Sequence, residues 1–218
     1  MPFLYDLLPR VELKDHLTEQ GRIYETPVGS LRSVTTILKE KLSDKKLQEW
    51  RERVGPDEAK RVSTQARLRG NRLHSACEHY LKGDNLIDGL MPSNQEIFMR
   101  VIPILNKNIT KIYGIEIPLY SGSLKTAGRA DALLEWQHHN CVLDFKTSRY
   151  PLDKRDERIA KYNLQATTYA MMAEEMYDVY FNPFPYNVLV ILPGSSDDPQ
   201  VIIKTNHKYR GLVRRLFQ

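Results

Sequence analysis

Cysteine is nearly absent: of 218 residues, only Cys77 and Cys141 carry thiols. Two cysteines permit at most one disulfide, which a chain of this size does not need. They cannot supply the four thiolates of an iron–sulfur cluster or of an all-cysteine zinc site. Long apolar runs are missing as well. Nothing approaches the roughly 18–20 residues that a spanning helix requires, so no membrane partner is expected. The first 30 residues contain Asp6, Glu12, Asp15, Glu19 and Glu25 and no apolar stretch. That is unlike a signal or transit peptide, and a cytoplasmic location is expected. There is no Gly-x-x-x-x-Gly-Lys-Ser/Thr loop, which removes a helicase motor and a nucleoside triphosphate from the expected partners. Internal repeats and low-complexity tracts are also lacking.

What remains is ordinary folded material, 41% hydrophobic and 27% charged, with a formal net charge of +5. A moderately basic balance suits a polyanionic partner without requiring one. Pro2, Pro9, Gly21, Pro27 and Gly29 make residues 1–30 read as irregular. Helical patterns follow over 33–53, 57–81 and 94–113, the last with Pro103 as an expected kink. The character then changes to strands over 114–120, 126–136 and 141–147. A helix over 154–180, two strands over 187–192 and 201–205, and a closing basic helix over 207–217 complete the chain. In the first strand, Ile115, Ile117 and Leu119 are expected on one face, and Glu116 and Pro118 on the other. This order predicts a mixed α/β core over 114–218, with a helical N-terminal part over 1–113 packed on or over it.

The chemistry concentrates in Leu143-Asp144-Phe145-Lys146-Thr147-Ser148. Asp144 and Lys146 are two apart on one strand and point to the same face as Val142, while Leu143 and Phe145 fill the other. Burying an aspartate and a lysine there is costly unless they pair or bind something. Asp131 lies on the preceding strand, in Gly128-Arg129-Ala130-Asp131, where a hairpin can set it beside Asp144. Two close carboxylates repel unless a cation bridges them. Acids that hold a divalent metal, with a cation beside the reacting phosphate, form the set that metal-assisted phosphodiester cleavage needs. Each residue has a plainer reading by itself. The triplet fits an exposed edge strand, Asp131 a solvent-facing acid, and His74 a packed helix histidine. Glu116 fits an outward acid, and Gln165 and Tyr169 a surface and a core residue.

In combination these residues resemble the PD-(D/E)xK nuclease superfamily. Two further elements are similar to its RecB-type exonuclease branch: Gly70-Asn71-Arg72-Leu73-His74 on an upstream helix, and Gln165-Ala166-Thr167-Thr168-Tyr169 on the helix after the lysine strand. All four elements stand in the family order. The Val34-Thr35-Thr36-Ile37-Leu38 start is like that of phage and mitochondrial-genome-maintenance single-strand DNA exonucleases. The resemblance implies a restriction-endonuclease-like mixed sheet and a helical N-terminal arch that contributes one metal ligand. It implies magnesium or manganese held by His74, Asp131, Asp144 and the Phe145 carbonyl, while two cysteines depart from the family members that carry four for an iron–sulfur cluster, so no such cluster is expected. Lys146 would act on the water and the phosphate, and Gln165 would orient it. Glu116 would be an additional acid. Arg69, Arg72, Thr147, Ser148 and Tyr169 would contact DNA. The expected partner is single-stranded DNA with a free end, cut to leave 5′ phosphates. A structure-specific or nicking endonuclease with the same site, and an inactive nucleic-acid-binding module, remain open alternatives.

Overall fold

The computed structural model describes residues 3–42, 45–84, 91–177, 185–194 and 197–218, and the side chains of 45 and 46 lie outside this description. The strands are β1 (Leu4–Tyr5), β2 (Lys14–Thr18), β3 (Gly21–Thr26), β4 (Gly29–Ser33), β5 (Ile109–Ser121), β6 (Thr126–Trp136), β7 (His139–Ser148), β8 (Tyr186–Pro193) and β9 (Gln200–Thr205). The helices are α1 (Val34–Lys41), α2 (Lys45–Val54), α3 (Pro56–Lys82), α4 (Pro92–Asn108), α5 (Glu157–Met176) and α6 (His207–Phe217). The described residues thus form a mixed α/β fold around one nine-stranded sheet.

Local chemistry sets most helix ends. The Ser33 side chain accepts from the Thr36 amide to start α1, and Asp156 accepts from the Arg158 amide at the start of α5. Pro56 opens α3 with Asp57 and Glu58 in the first turn, and Gly83, in the left-handed region, closes it. The expected end of α5 at residue 180 lies outside the described residues, as do Ser195 and Ser196 of the expected turn after β8.

Three expectations are corrected. Within residues 1–30, expected to be irregular, the described residues from 3 onward carry β1, β2, β3 and the start of β4. Gly21 and Gly29 open β3 and β4 directly after the two turns of a β2–β3–β4 meander, with φ of 103° and 111°. Its first strand, Lys14–Thr18, is mostly exposed and polar, so hydrophobic alternation gave no signal. The third helix ends at Asn108, and Ile109 to Tyr113 belong to β5. The spacing of Ile109 and Ile112 suits either structure, and pairing to β6 on one side and β1 on the other decides it. Finally, Ile115 does not share a core with Ile117 and Leu119. Ile115 packs with α3 and α4, and the other two pack with α5. Pro118 is buried rather than outward. Between Ile115 and Ile117, Glu116 has φ of 45°, which breaks the alternation of a regular strand.

The sheet is covered on both faces. On one, Val34, Leu38, Leu164, Met172, Val213 and Phe217 of α1, α5 and α6 pack on Leu133, Val142, Leu189 and Ile191. On the other, Leu73, Cys77, Phe98, Val101 and Leu105 of α3 and α4 pack on Leu134, Leu143, Phe145 and Val190. Each fully enclosed Leu or Phe contributes about 1.5–3 kcal/mol through removal of its surface from water.

One edge of β6 positions the site. β5 lines the other edge along its whole length. The site-forming edge pairs with β4 at Thr126 and Ala127 and with β7 from Ala132 to Trp136. Residues 128–131, the Gly-Arg-Ala-Asp run, therefore have no ladder partner on that edge.

Candidate active site

Where the β6–β7 ladder stops at Ala132–Leu143, the next positions on the two strands are Asp131 and Asp144. The Asp131 side chain takes the place of a backbone acceptor: the Phe145 N–H donates to its Oδ2 at 2.7 Å. The same oxygen lies 3.4 Å from His74 Nδ1, brought in by α3, and the His74 ring meets Phe145 edge-on at 6.2 Å. Asp144 and Lys146 share the face of Val142, as alternation requires. Lys146 Nζ donates to Asp144 Oδ1 at 2.7 Å and stands 2.6 Å from Oδ2. Asp144 is 1% exposed, Asp131 and Lys146 are 16% exposed, and the His74 side chain is 31% exposed.

These contacts set the charges. Burial disfavours the Lys146 ammonium, but Asp144 and Asp131 outweigh it and hold its pKa above the ordinary value. Lys146 is thus a cation and a donor. Burial raises Asp144; Lys146 opposes this and Asp131 adds to it. Asp131 is raised by burial, with Lys146 and the Phe145 N–H opposing. His74 is lowered to about 4 by burial and then by the Lys146 charge, so at neutral pH its imidazole is neutral and carries a free lone pair. Glu116 falls opposite Asp131, between the pairs Ile115–Ala132 and Ile117–Ala130. Burial, then Asp131 and Glu78, push its pKa up to about 7.

Asp144 Oδ2 is off the line of a hydrogen bond from Lys146 and has no other donor among the described residues. An orphaned buried carboxylate oxygen, a second carboxylate at the same gap and a neutral imidazole are, by type, donors that hard divalent cations accept. Among the described residues, no three or more His, Cys, Asp or Glu side chains are grouped so that they could hold a metal ion. Water or a phosphate oxygen would complete the shell of such an ion, as is usual for magnesium.

The other candidates are placed as follows. Gln165 Nε2 approaches the Tyr169 hydroxyl at 3.4 Å. Tyr169 is 3% exposed and lies under the gap in β6. A Cβ on Gly128 would meet its ring at 2.8 Å, which explains glycine there. A Cβ on Gly70 would sit 3.1 Å from Thr147 Oγ1, so this glycine lets α3 close on the end of β7. Arg69 donates to the Ser148 carbonyl at 2.8 Å, and Gly194 N–H donates to the same oxygen at 2.8 Å. Ser148 is buried and Thr147 is half-buried, while Arg72 is exposed. Sequence reasoning missed Tyr162, whose ring lies 5.3 Å from Lys146 Nζ. Its spacing of three to Gln165 and seven to Tyr169 on α5 was the signal available.

A mixed α/β fold with a largely enclosed Asp–Asp–Lys–His constellation at a break between strands is the class of site that this chain presents. No protein-family model matches the chain. Mitochondrial genome maintenance exonuclease 1 of Mus musculus is 27% identical to it over 130 residues, covering 56% of this chain and 38% of the relative. The protein of the same name from Homo sapiens is 25% identical over 130 residues, covering 55% and 37%. The chain therefore matches under two fifths of the length of these curated relatives.

Proposed function

We propose that this chain is a metal-dependent DNA exonuclease of the PD-(D/E)xK type, acting on single-stranded ends and leaving 5′ phosphates. The observation that carries this reading is the Lys146–Asp144 pair set beside Asp131 where β6 and β7 part. The names of the two relatives support it. His74, Asp131, Asp144 and the Phe145 carbonyl are the groups that would hold magnesium or manganese. When bound, such an ion supplies positive charge to a phosphate and acidifies water.

The residues of the chain do the rest. Lys146 remains protonated because two carboxylates face it, and it offers the remaining N–H bonds of its ammonium to a phosphate oxygen or the attacking water. Asp144 and the Tyr162 ring fix the ammonium from two sides. His74 stays neutral and presents a lone pair. Asp131, tied to the Phe145 N–H, cannot swing away from the gap. Gln165 and Tyr169 brace the wall behind it. The exposed polar helices α2 and the first half of α3 carry Arg51, Lys60, Arg61 and Arg67, which suit a path for the phosphate backbone.

The test compares linear and circular single-stranded DNA of one sequence, with magnesium or manganese, for the wild type and Lys146→Ala. Loss of linear DNA alone, absent in the variant, is expected. Cutting of the circle replaces the reading with an endonuclease. Binding without cutting of either substrate replaces it with an inactive nucleic-acid-binding module.

A further inference from the structure

Glu116 has its backbone in the left-handed region, with φ of 45°. A non-glycine residue holds that conformation only when its surroundings impose it. In a regular strand, successive carbonyls point to opposite edges, so one side chain cannot reach two in a row. Here it does. Arg10 Nη1 donates to the Ile115 carbonyl at 3.2 Å and Nη2 donates to the Glu116 carbonyl at 2.9 Å. The two donors of one planar fork thus meet both carbonyls of the turned peptide.

Arg10 comes from a strap along β5. Leu4 and Tyr5 pair with Lys111 and Ile112 as β1, the Asp6 N–H donates to the Ile112 carbonyl and the Leu8 N–H to the Tyr113 carbonyl. The Tyr177 hydroxyl fixes the strap by donating to the Pro9 carbonyl at 2.8 Å. The strap ends at the step where β5 changes the core that its isoleucines fill. That step sets Glu116 opposite Asp131 in register, with Arg129 3.9 Å from its carboxylate.

We infer that Arg10 is a positioning residue: its fork on the Ile115 and Glu116 carbonyls holds Glu116 in the turned conformation that keeps its carboxylate at the Asp131 gap. The inference rests on the proposed metal-dependent reading for its consequence, but not for its geometry. Lysine, with a point charge in place of a fork, does not replace Arg10.

The test uses the full chain and Mn2+ as the probe. The Glu116 13Cα and 13Cβ resonances are recorded without metal, and Mn2+ binding is followed by electron paramagnetic resonance. Arg10→Ala and Arg10→Lys are expected to move the Glu116 resonances away from left-handed values and to weaken Mn2+ binding roughly tenfold, as loss of a supporting partner does elsewhere. Tyr177→Phe loosens the strap without touching the fork and should do neither. Arg10→Ala added to Glu116→Gln should weaken binding no further than Glu116→Gln alone. Unmoved Glu116 resonances in Arg10→Ala, a full repeated loss on the Glu116→Gln background, or an equal loss in Tyr177→Phe would overturn the inference. Absence of Mn2+ binding by the wild type would overturn the proposed function instead, while the resonances still decide the role of Arg10.

Discussion

Replacing Lys146 by Met removes the cation that stands 2.6 Å from a carboxylate that is 1% exposed. Breaking a buried ion pair from one side typically costs about 3–5 kcal/mol, because the remaining charge has neither water nor partner. Lys146 is itself 16% exposed, so the low end, about 3 kcal/mol, is expected. In a domain of this size each kcal/mol moves the melting temperature by roughly 2–4 °C, so the loss should appear as a drop of roughly 6–12 °C. Adding Asp144→Asn removes the orphaned charge, and the double variant should recover most of the loss, since removing both partners of a buried pair is nearly neutral. The assay is thermal and urea unfolding of the wild type, both single variants and the double variant in chelator. If Lys146→Met is as stable as the wild type, or if the double variant is no better than Lys146→Met, the carboxylate is solvated and the argument fails. Nuclease activity should be lost in all three variants, so the stability pattern separates the pair's structural role from its chemical one.

Gly128→Val should cost about 1–3 kcal/mol, since a Cβ there meets the Tyr169 ring at 2.8 Å; urea unfolding measures it, and a neutral result would show that the ring moves freely. Glu175 clamps the β5–β6 turn, accepting from Ser121, Gly122 and Ser123. Burial works against its charge, but these hydrogen bonds win and its pKa is lowered from 4.5. A lowered carboxylate stabilises above its unfolded pKa and ceases to do so as pH falls through the folded value. Glu175→Gln should therefore melt below the wild type at pH 7, and the gap should close on acidification below about 4.5; a gap independent of pH would count against the clamp. Asp131→Asn keeps an acceptor for the Phe145 N–H and should fold normally while losing activity. Asp131→Ala leaves that N–H unpaired and should lose a further 1–3 kcal/mol, roughly, which differential unfolding would detect.

Most strands and helices of 114–218 were legible because bulk and period agree there. The 126–136 strand and the 207–217 helix have the expected bounds. Asp131, Asp144 and Lys146 were singled out from strand spacing and His74 through the family resemblance, and the fold brings them into one cluster. The N-terminal meander was not legible, because Lys14, Asp15 and His16 carry no alternating apolar face and the strands exist through pairing with distant segments. The turned backbone at Glu116 was invisible for a related reason. A left-handed glutamate has no sequence signature, and the guanidinium that caps it lies over a hundred residues away.

The break in the β6 edge explains why the acids sit where they do. A sheet interior has no room for charge, since every edge group is paired and both faces are covered. A strand that changes partners leaves a few residues with one edge free, and here that stretch is 128–131, between β4 and β7. The free edge creates an orphaned N–H at Phe145, which Asp131 satisfies. It creates space, which Tyr169 fills from below because residue 128 is glycine. It opens a passage between the two covered faces, so that His74 from the α3 side reaches Asp131 and Lys146 from the α5 side reaches the neighbouring Asp144. The residues that keep the fold intact at the break are therefore the ones that the proposed chemistry uses. Substitutions there should seldom affect stability or activity alone, and variants that preserve the hydrogen-bond pattern while changing charge are the informative ones.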